Sequence, residues 1–202
     1  MPDDLSARAV AALTAGGETI GVAESLTGGA LVAELIKTPG ASVVVNGGIV
    51  AYRTALKAAL LGVDAGLLAE HGPVHPEVAA QMAVGVRQAL AVAGVPASIG
   101  LSTTGVAGPD AQDGQPVGTV FIALARGGDV HTRALALTGT RNEIRDAVVD
   151  AALRWLVEEL GRPVESDGWA QNPGTDHTVE DDGTGRPRSG NHSSLDPVTD
   201  SS

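Results

Sequence analysis

GVAESLTGG, residues 21–29, ends an apolar run on a carboxylate and a hydroxyl, Glu24 and Ser25, and then turns through Gly28 and Gly29. The pattern is that of a buried strand followed by a turn and a helix. A residue at such an elbow has two uses. Ser25 or Thr27 can cap the following helix, because a short hydroxyl side chain accepts from the first free backbone N–H groups. Alternatively, Ser25 is a nucleophile aimed at the helix N-terminus, whose N–H groups can stabilise an oxyanion.

Outward from this stretch, the element type alternates. Apolar spacing in Leu5, Ala9, Ala12 and Leu13 predicts a helix over 4–15, followed by a strand over 18–23 and a helix over 27–37, stopped by Thr38-Pro39-Gly40. The β-branched run SVVVNGGIVAY, 42–52, predicts a strand with a bulge or bend at Gly47-Gly48. Short helices follow at 54–61 and 64–71, and a longer one from Pro76 to Ala93, with its proline near the start. Residues 97–103 read as a strand and 105–116 as a Gly/Pro/Asp loop; strands at 117–125 and 130–137 flank the hairpin signal Arg126-Gly127-Gly128-Asp129. A final amphipathic helix over 141–160 carries Ile144, Val148, Ala151 and Trp155 on one stripe. Helices alternating with strands, then a hairpin, predict a three-layer α/β/α domain with a mixed sheet.

The chain has 202 residues, enough for one domain with a substantial core, and that core is aliphatic, since aromatics are only 2%. With no cysteine there is no disulfide, thiolate metal site or cysteine nucleophile. No signal peptide and no membrane span are expected, which together with the missing cysteines suggests a cytoplasmic location. The formal charge is −11. Residues 163–202 carry eight Asp/Glu against two Arg, and the remainder sixteen against eleven Lys/Arg, so no nucleic-acid partner is expected. Composition changes near Gly161-Arg162-Pro163. We expect one domain over 1–162 and a disordered acidic tail over 163–202, with Trp169 its one large apolar residue.

Four further groups could carry chemistry. AYRTALK, 51–57, holds Tyr52, the single tyrosine, and Lys57, one of two lysines against eleven arginines. Lysine can act as a base when desolvated and arginine cannot, and Ser/Lys pairs are an established nucleophile design. The bland reading is a surface lysine and a half-buried tyrosine. STTGVAGPD, 102–110, brings Thr104 and Gly105 to a Gly-rich turn that either binds a carbonyl or phosphate or is an ordinary turn. In TGTRNEIR, 138–145, Thr140 and Glu143 fit a capping box, and Arg141 and Arg145 share a helical face next to the positive helix end, as a phosphate site or as surface charge. His71 and His75 are separated by Pro73 and have no third ligand at convincing spacing, so no metal is expected. The dinucleotide GxGxxG and phosphate-loop patterns are absent.

AESLTGG, GGIVAY with Lys57 five residues beyond Tyr52, LLGV, HGPV, TTGVAGP, QPVGTV and GTRNEIR occur in this order. Over roughly residues 5–160 the chain resembles the CinA carboxy-terminal domain family, the nicotinamide-nucleotide amidases, in stand-alone form. The resemblance implies hydrolysis of nicotinamide mononucleotide to nicotinate mononucleotide and ammonia, in pyridine nucleotide salvage, without a cofactor, and suggests a homodimer. By motif it implies Ser25 as nucleophile, Lys57 as base, Tyr52 as a proton relay or orienter, and Thr104 as a contact to the amide or ligand. Gly28 and Gly29 would let the substrate approach the backbone, with Thr27 and Gly105 beside it, while Glu24 would fix the turn or bind ribose; Arg141 and Arg145 would hold the 5′-phosphate. Two departures from the family pattern bear on the pocket rim: AQDGQ follows AGPD, poorer in glycine than the family's loop, and His75 stands where the family often has Ser. A non-catalytic nucleotide-binding or competence-associated module, and a Ser/Lys amidase for another small amide, are the rival functions.

Overall fold

The computed structural model describes residues 4–162; the expected tail, including Trp169, lies outside them. Five strands form one mixed sheet in the order β2-β1-β3-β4-β5, with β1 Ile20–Glu24, β2 Val45–Val50, β3 Ile99–Gly105, β4 Thr119–Arg126 and β5 Asp129–Ala136. β1 runs parallel to β2 and β3, and β3-β4-β5 continue antiparallel. Helices α1 (Leu5–Gly16), α2 (Ala30–Ile36) and α6 (Arg141–Leu160) pack together on one face. Helices α3 (Thr54–Leu61), α4 (Ala65–His71) and α5 (Pro76–Ala89) belong to the other, where α5 lies across β3 and β4. The three-layer α/β/α architecture is therefore the one the alternation implies.

The chain leaves β1 over one face to reach β2, then returns over the other face to β3 on the opposite side of β1. The carboxyl end of β1 is thus a topological switch point, where connections diverge and a crevice opens. β1 is buried at every position, as a strand covered by helices on both sides must be.

Three boundaries differ from expectation, each for a local reason. α2 starts at Ala30 rather than 27, because Gly28 and Gly29 take φ of 64° and 96°, left-handed values incompatible with a helix start. The run at 42–52 opens as a 3₁₀ turn, Ala41–Val43, before β2 begins. A bulge is present, one residue ahead of the expected Gly47-Gly48: Ile20 pairs Val45 but Gly21 pairs Gly47, so Asn46 is extra, and its side-chain amide donates to the Leu90 carbonyl at 3.0 Å. α5 stops at Ala89, before a tight turn that places Ala93 and Gly94 at positive φ. The hairpin, the capping box of Thr140 and Glu143, and the extent of α6 agree with the sequence reading.

The main core is aliphatic, with Leu13, Ile20, Val22, Leu31, Leu101, Ile122, Ile144 and Val148 at its centre. On α6 the buried stripe runs through Ala152 rather than Ala151 and on through Trp155, Leu156 and Glu159; the Trp155 Nε1–H donates to Glu159 at 2.9 Å under the Arg133 guanidinium. Across the sheet, α5 and the end of α3 approach at Gly85: a Cβ there would lie 1.8 Å from the Leu61 carbonyl oxygen. Helices so close need a residue without a side chain.

Candidate active site

A polar cavity of about 140 Å³ opens at the carboxyl ends of β1 and β3. Each wall is a strand-end segment. The segment leaving β1 contributes Ser25 and Leu26, the segment after β2 contributes Tyr52, and α3 contributes Lys57. The segment leaving β3 supplies Thr104 to Gly108, then Asp110 and Gln112; Pro73 and Val74 precede α5, and Arg141 opens α6.

Ser25 and Lys57, 32 residues apart, meet on one edge of the cavity. Lys57 Nζ lies 2.9 Å from Ser25 Oγ and donates to the Ala51 carbonyl at 2.8 Å. α3 presents Lys57 on its buried side, one turn before Leu61, so the amine reaches back under the sheet end. Lys57 is only 1% exposed and has no carboxylate in ion-pair contact among the described residues. Burial of an uncompensated ammonium favours the neutral amine, and it lowers the Lys57 pKa from 10.5 to about 8. Ser25 is tied to β3 by its own N–H, which donates to the Thr103 carbonyl at 3.0 Å.

The elbow is built differently from either expectation. Neither Ser25 nor Thr27 caps α2; the N-cap position is Gly29, with no side-chain hydrogen bond of its own. The fully buried Glu24 carboxylate reaches past the turn instead and accepts from the N–H groups of Gly29 (2.9 Å), Leu31 (3.1 Å) and Val32 (2.9 Å). Glu24 therefore fixes the turn and has no oxygen directed to a ribose. It also occupies the α2 N-terminus, which removes those N–H groups as an oxyanion site. The Thr27 hydroxyl is buried against Thr103 Oγ1 at 2.8 Å.

Thr27, Gly28, Gly29 and Glu24 do not line the cavity, and neither does Arg145. Arg145 Nε donates to the Leu26 carbonyl at 3.0 Å, and its NH2 group to the Thr27 carbonyl at 2.9 Å. The two arginines thus separate: a helical face shared in sequence becomes one side chain on the turn and one at the cavity mouth. Arg141 donates to the Gly108 carbonyl at 2.6 Å and to the Tyr52 hydroxyl at 2.8 Å. Tyr52 is 58% exposed at the rim, and its hydroxyl bonds to Arg141 rather than to Ser25 or Lys57, so the relay expected of it is not present in this geometry. Thr104 is on the cavity as expected, buried, with its hydroxyl donating to the Pro73 carbonyl at 2.7 Å and lone pairs left to accept.

Pro73, Val74, Asp110 and Gln112 were missed as lining residues. HGPV and the AQDGQ departure were visible as segments, but nothing local says that they face β1. His75 N-caps α5, its Nδ1 accepting from the Glu77 N–H at 3.2 Å, which is a task serine also performs. The His71 and His75 rings stack at 4.7 Å, and among the described residues no group of three His, Cys, Asp or Glu could hold a metal ion. No helix of the described residues is long and apolar enough to cross a membrane.

A family model described as the CinA C-terminal domain matches residues 2–160. A CinA-like protein of Frankia casuarinae is 50% identical over 135 residues, which are 67% of this chain and 30% of that protein. A putative competence-damage inducible protein of Desulforamulus reducens is 47% identical over 138 residues, 68% of this chain and 32% of that one. The chain thus spans about a third of the length of the curated relatives it matches. Among solved structures, a competence-damaged protein (CinA) superfamily protein from Klebsiella pneumoniae superposes with a TM-score of 0.72 at 33% identity, covering 78% of this chain and 96% of the other. Competence/damage inducible protein CihA from Agrobacterium tumefaciens gives 0.71 at 33% identity, covering 80% and 98%. The elbow at Ser25, the buried lysine behind it and the sheet that joins them are thus those of a member of the CinA C-terminal domain family.

Proposed function

We propose that the chain is a Ser/Lys amide hydrolase that deamidates nicotinamide mononucleotide to nicotinate mononucleotide and ammonia. The observation that carries this reading is the 2.9 Å contact between Ser25 Oγ and a buried Lys57 amine whose pKa is lowered to about 8. An amine with that pKa is about 10% neutral at pH 7, against about 0.03% for a solvated lysine. The neutral form accepts the Ser25 proton across the same contact that the ammonium donates through.

In the acylation step Ser25 Oγ attacks the carboxamide carbon as its proton passes to Lys57 Nζ. Collapse of the tetrahedral intermediate breaks the C–N bond, and the Lys57 ammonium returns the proton to the leaving nitrogen, releasing ammonia. The nicotinoyl ester on Ser25 is then hydrolysed by a water that Lys57 deprotonates, which restores the serine hydroxyl. Ala51 O holds the amine in place through both steps. Thr104 Oγ1, already donating to Pro73, offers its lone pairs to an N–H of the substrate amide. The pyridine carboxamide is placed in the cavity beside Ser25, and the ribose phosphate at its mouth, which the hydrogen-bonded Tyr52 and Arg141 border. Arg141 is the arginine placed for the phosphate, because it borders the cavity whereas Arg145 does not.

Ammonia release tests the proposal. Nicotinamide mononucleotide, nicotinamide riboside and simple aliphatic amides are compared, with direct binding measured in parallel. Turnover should be fastest with the mononucleotide. Tight binding without ammonia release would replace the enzyme by a binding module, and preference for a simple amide would move the substrate class.

A further inference from the structure

We infer that Glu24 and Arg145 are a pair of positioning residues that hold the nucleophile turn from opposite sides, and that the reactivity of Ser25 depends on both. The inference rests on the reading of Ser25 as the nucleophile. Backbone groups of the 26–32 segment are divided between the two charges by type. The Glu24 carboxylate takes N–H groups, those of Gly29, Leu31 and Val32. The Arg145 guanidinium takes carbonyls, those of Leu26 and Thr27. Neither side chain lines the cavity, so neither is placed to contact the substrate.

The arrangement is more than a helix cap. A cap for α2 needs only a hydroxyl or carboxylamide at position 29, which is a glycine in the left-handed region. Here the acceptor is carried by the residue immediately before the nucleophile, and it reaches five to eight residues ahead. Ser25 is thereby tied directly to the axis of α2, while Arg145 ties the next two residues to α6. Ser25 N–H to Thr103 O and Thr27 Oγ1 to Thr103 Oγ1 add the β3 side. Three elements therefore converge on the turn that sets the 2.9 Å distance from Ser25 Oγ to Lys57 Nζ. A nucleophile on a turn with two glycines at positive φ has wide conformational freedom unless the surroundings remove it. The two charges remove it without occupying substrate space.

The experiment uses the intact chain and the variants Glu24→Gln, Arg145→Met and Arg145→Lys. Glutamine keeps the volume of Glu24 but sets an amide N–H₂ against backbone donors. Methionine keeps the length of Arg145 without donors, and lysine restores the charge but cannot bridge two carbonyls in a planar fork. The principal readout is the rate at which methanesulfonyl fluoride labels Ser25, followed as the mass increase of the peptide that contains it. Ser25 Oγ bonds to sulfur, fluoride leaves and the proton passes to Lys57, so the readout does not depend on which amide is the natural substrate. Melting temperature, and kcat and KM for nicotinamide mononucleotide, are measured alongside.

For Glu24→Gln and Arg145→Met, labelling rate and kcat should fall together by about 10–100-fold, the scale of a misplacement on the order of 1 Å at a reacting centre. KM should change less than about threefold, and the pH midpoint of labelling should stay near 8, since Lys57 is untouched. Arg145→Lys should recover part of the rate lost in Arg145→Met. The inference is overturned if folded variants label at the parent rate. It is overturned equally if KM rises with kcat unchanged, which would mean substrate contact, or if the rate returns once temperature is lowered in step with the melting point. Failure of the underlying reading looks different: the parent itself would then label at Ser25 no faster than at its surface serines.

Discussion

The proposed base can be tested through its titration. Lys57 is 1% exposed, and burial alone lowers its pKa to about 8. Only the neutral amine accepts the Ser25 proton, so kcat/KM should rise with pH and level off above that value. With a single pKa of about 8, the neutral fraction climbs from about 1% at pH 6 to about 90% at pH 9, and the rate should climb about 90-fold across the range. Lys57→Arg keeps the charge but cannot be deprotonated, so it should lose about 10²–10⁴-fold in kcat/KM and lose the pH dependence as well. Lys57→Met is the folding control. In the parent, the unfolded chain holds the Lys57 proton more tightly than the folded chain does. Stability therefore rises with pH between about 8 and 10.5, and the methionine variant lacks this rise. The assay is ammonia release at saturating and limiting mononucleotide from pH 6 to 9, with thermal melts over the same range extended to pH 10.5. A flat rate profile, or Lys57→Arg with more than a tenth of parental activity, would refute the reasoning.

Ser25→Ala should abolish turnover and leave the melting temperature within a few degrees of the parent, because Glu24 rather than Ser25 caps α2; residual activity in the folded variant would sink the nucleophile assignment. Arg141→Ala should lower kcat/KM for the mononucleotide by about 10–150-fold, the equivalent of a charge-assisted contact of roughly 1.5–3 kcal/mol, and should affect the riboside much less. Equal losses for both substrates would leave Arg141 as a brace between Gly108 and Tyr52. Gly85→Ala should destabilise the domain although alanine is the better helix former by about 1 kcal/mol, because its Cβ would meet the Leu61 carbonyl at 1.8 Å; an unchanged or raised melting temperature would contradict the close α3–α5 approach.

Much of this protein is legible in local pattern. Alternating apolar periods and glycine-marked turns specify the order of helices and strands, because each element answers to the spacing of its own side chains. The capping box at Thr140 and the two-residue turn at Gly127-Gly128 are likewise local, closed within three or four residues. The shortage of lysine singles out Lys57, and the strand-to-turn position singles out Ser25, but their contact is not a sequence property. It exists because the chain passes over opposite faces of the sheet and brings α3 back beneath the end of β1. Burial then supplies what composition cannot, a lysine pushed toward its neutral form. Residues near in sequence were separated by the same three-dimensional packing. Arg141 and Arg145 sit one helical turn apart, yet one faces the cavity mouth and the other holds the turn. Glu24, beside the nucleophile in sequence, has its carboxylate spent on the α2 backbone. A side chain's role follows from which partner reaches its polar atoms first, and that is decided by how helices and strands pack rather than by spacing along the chain.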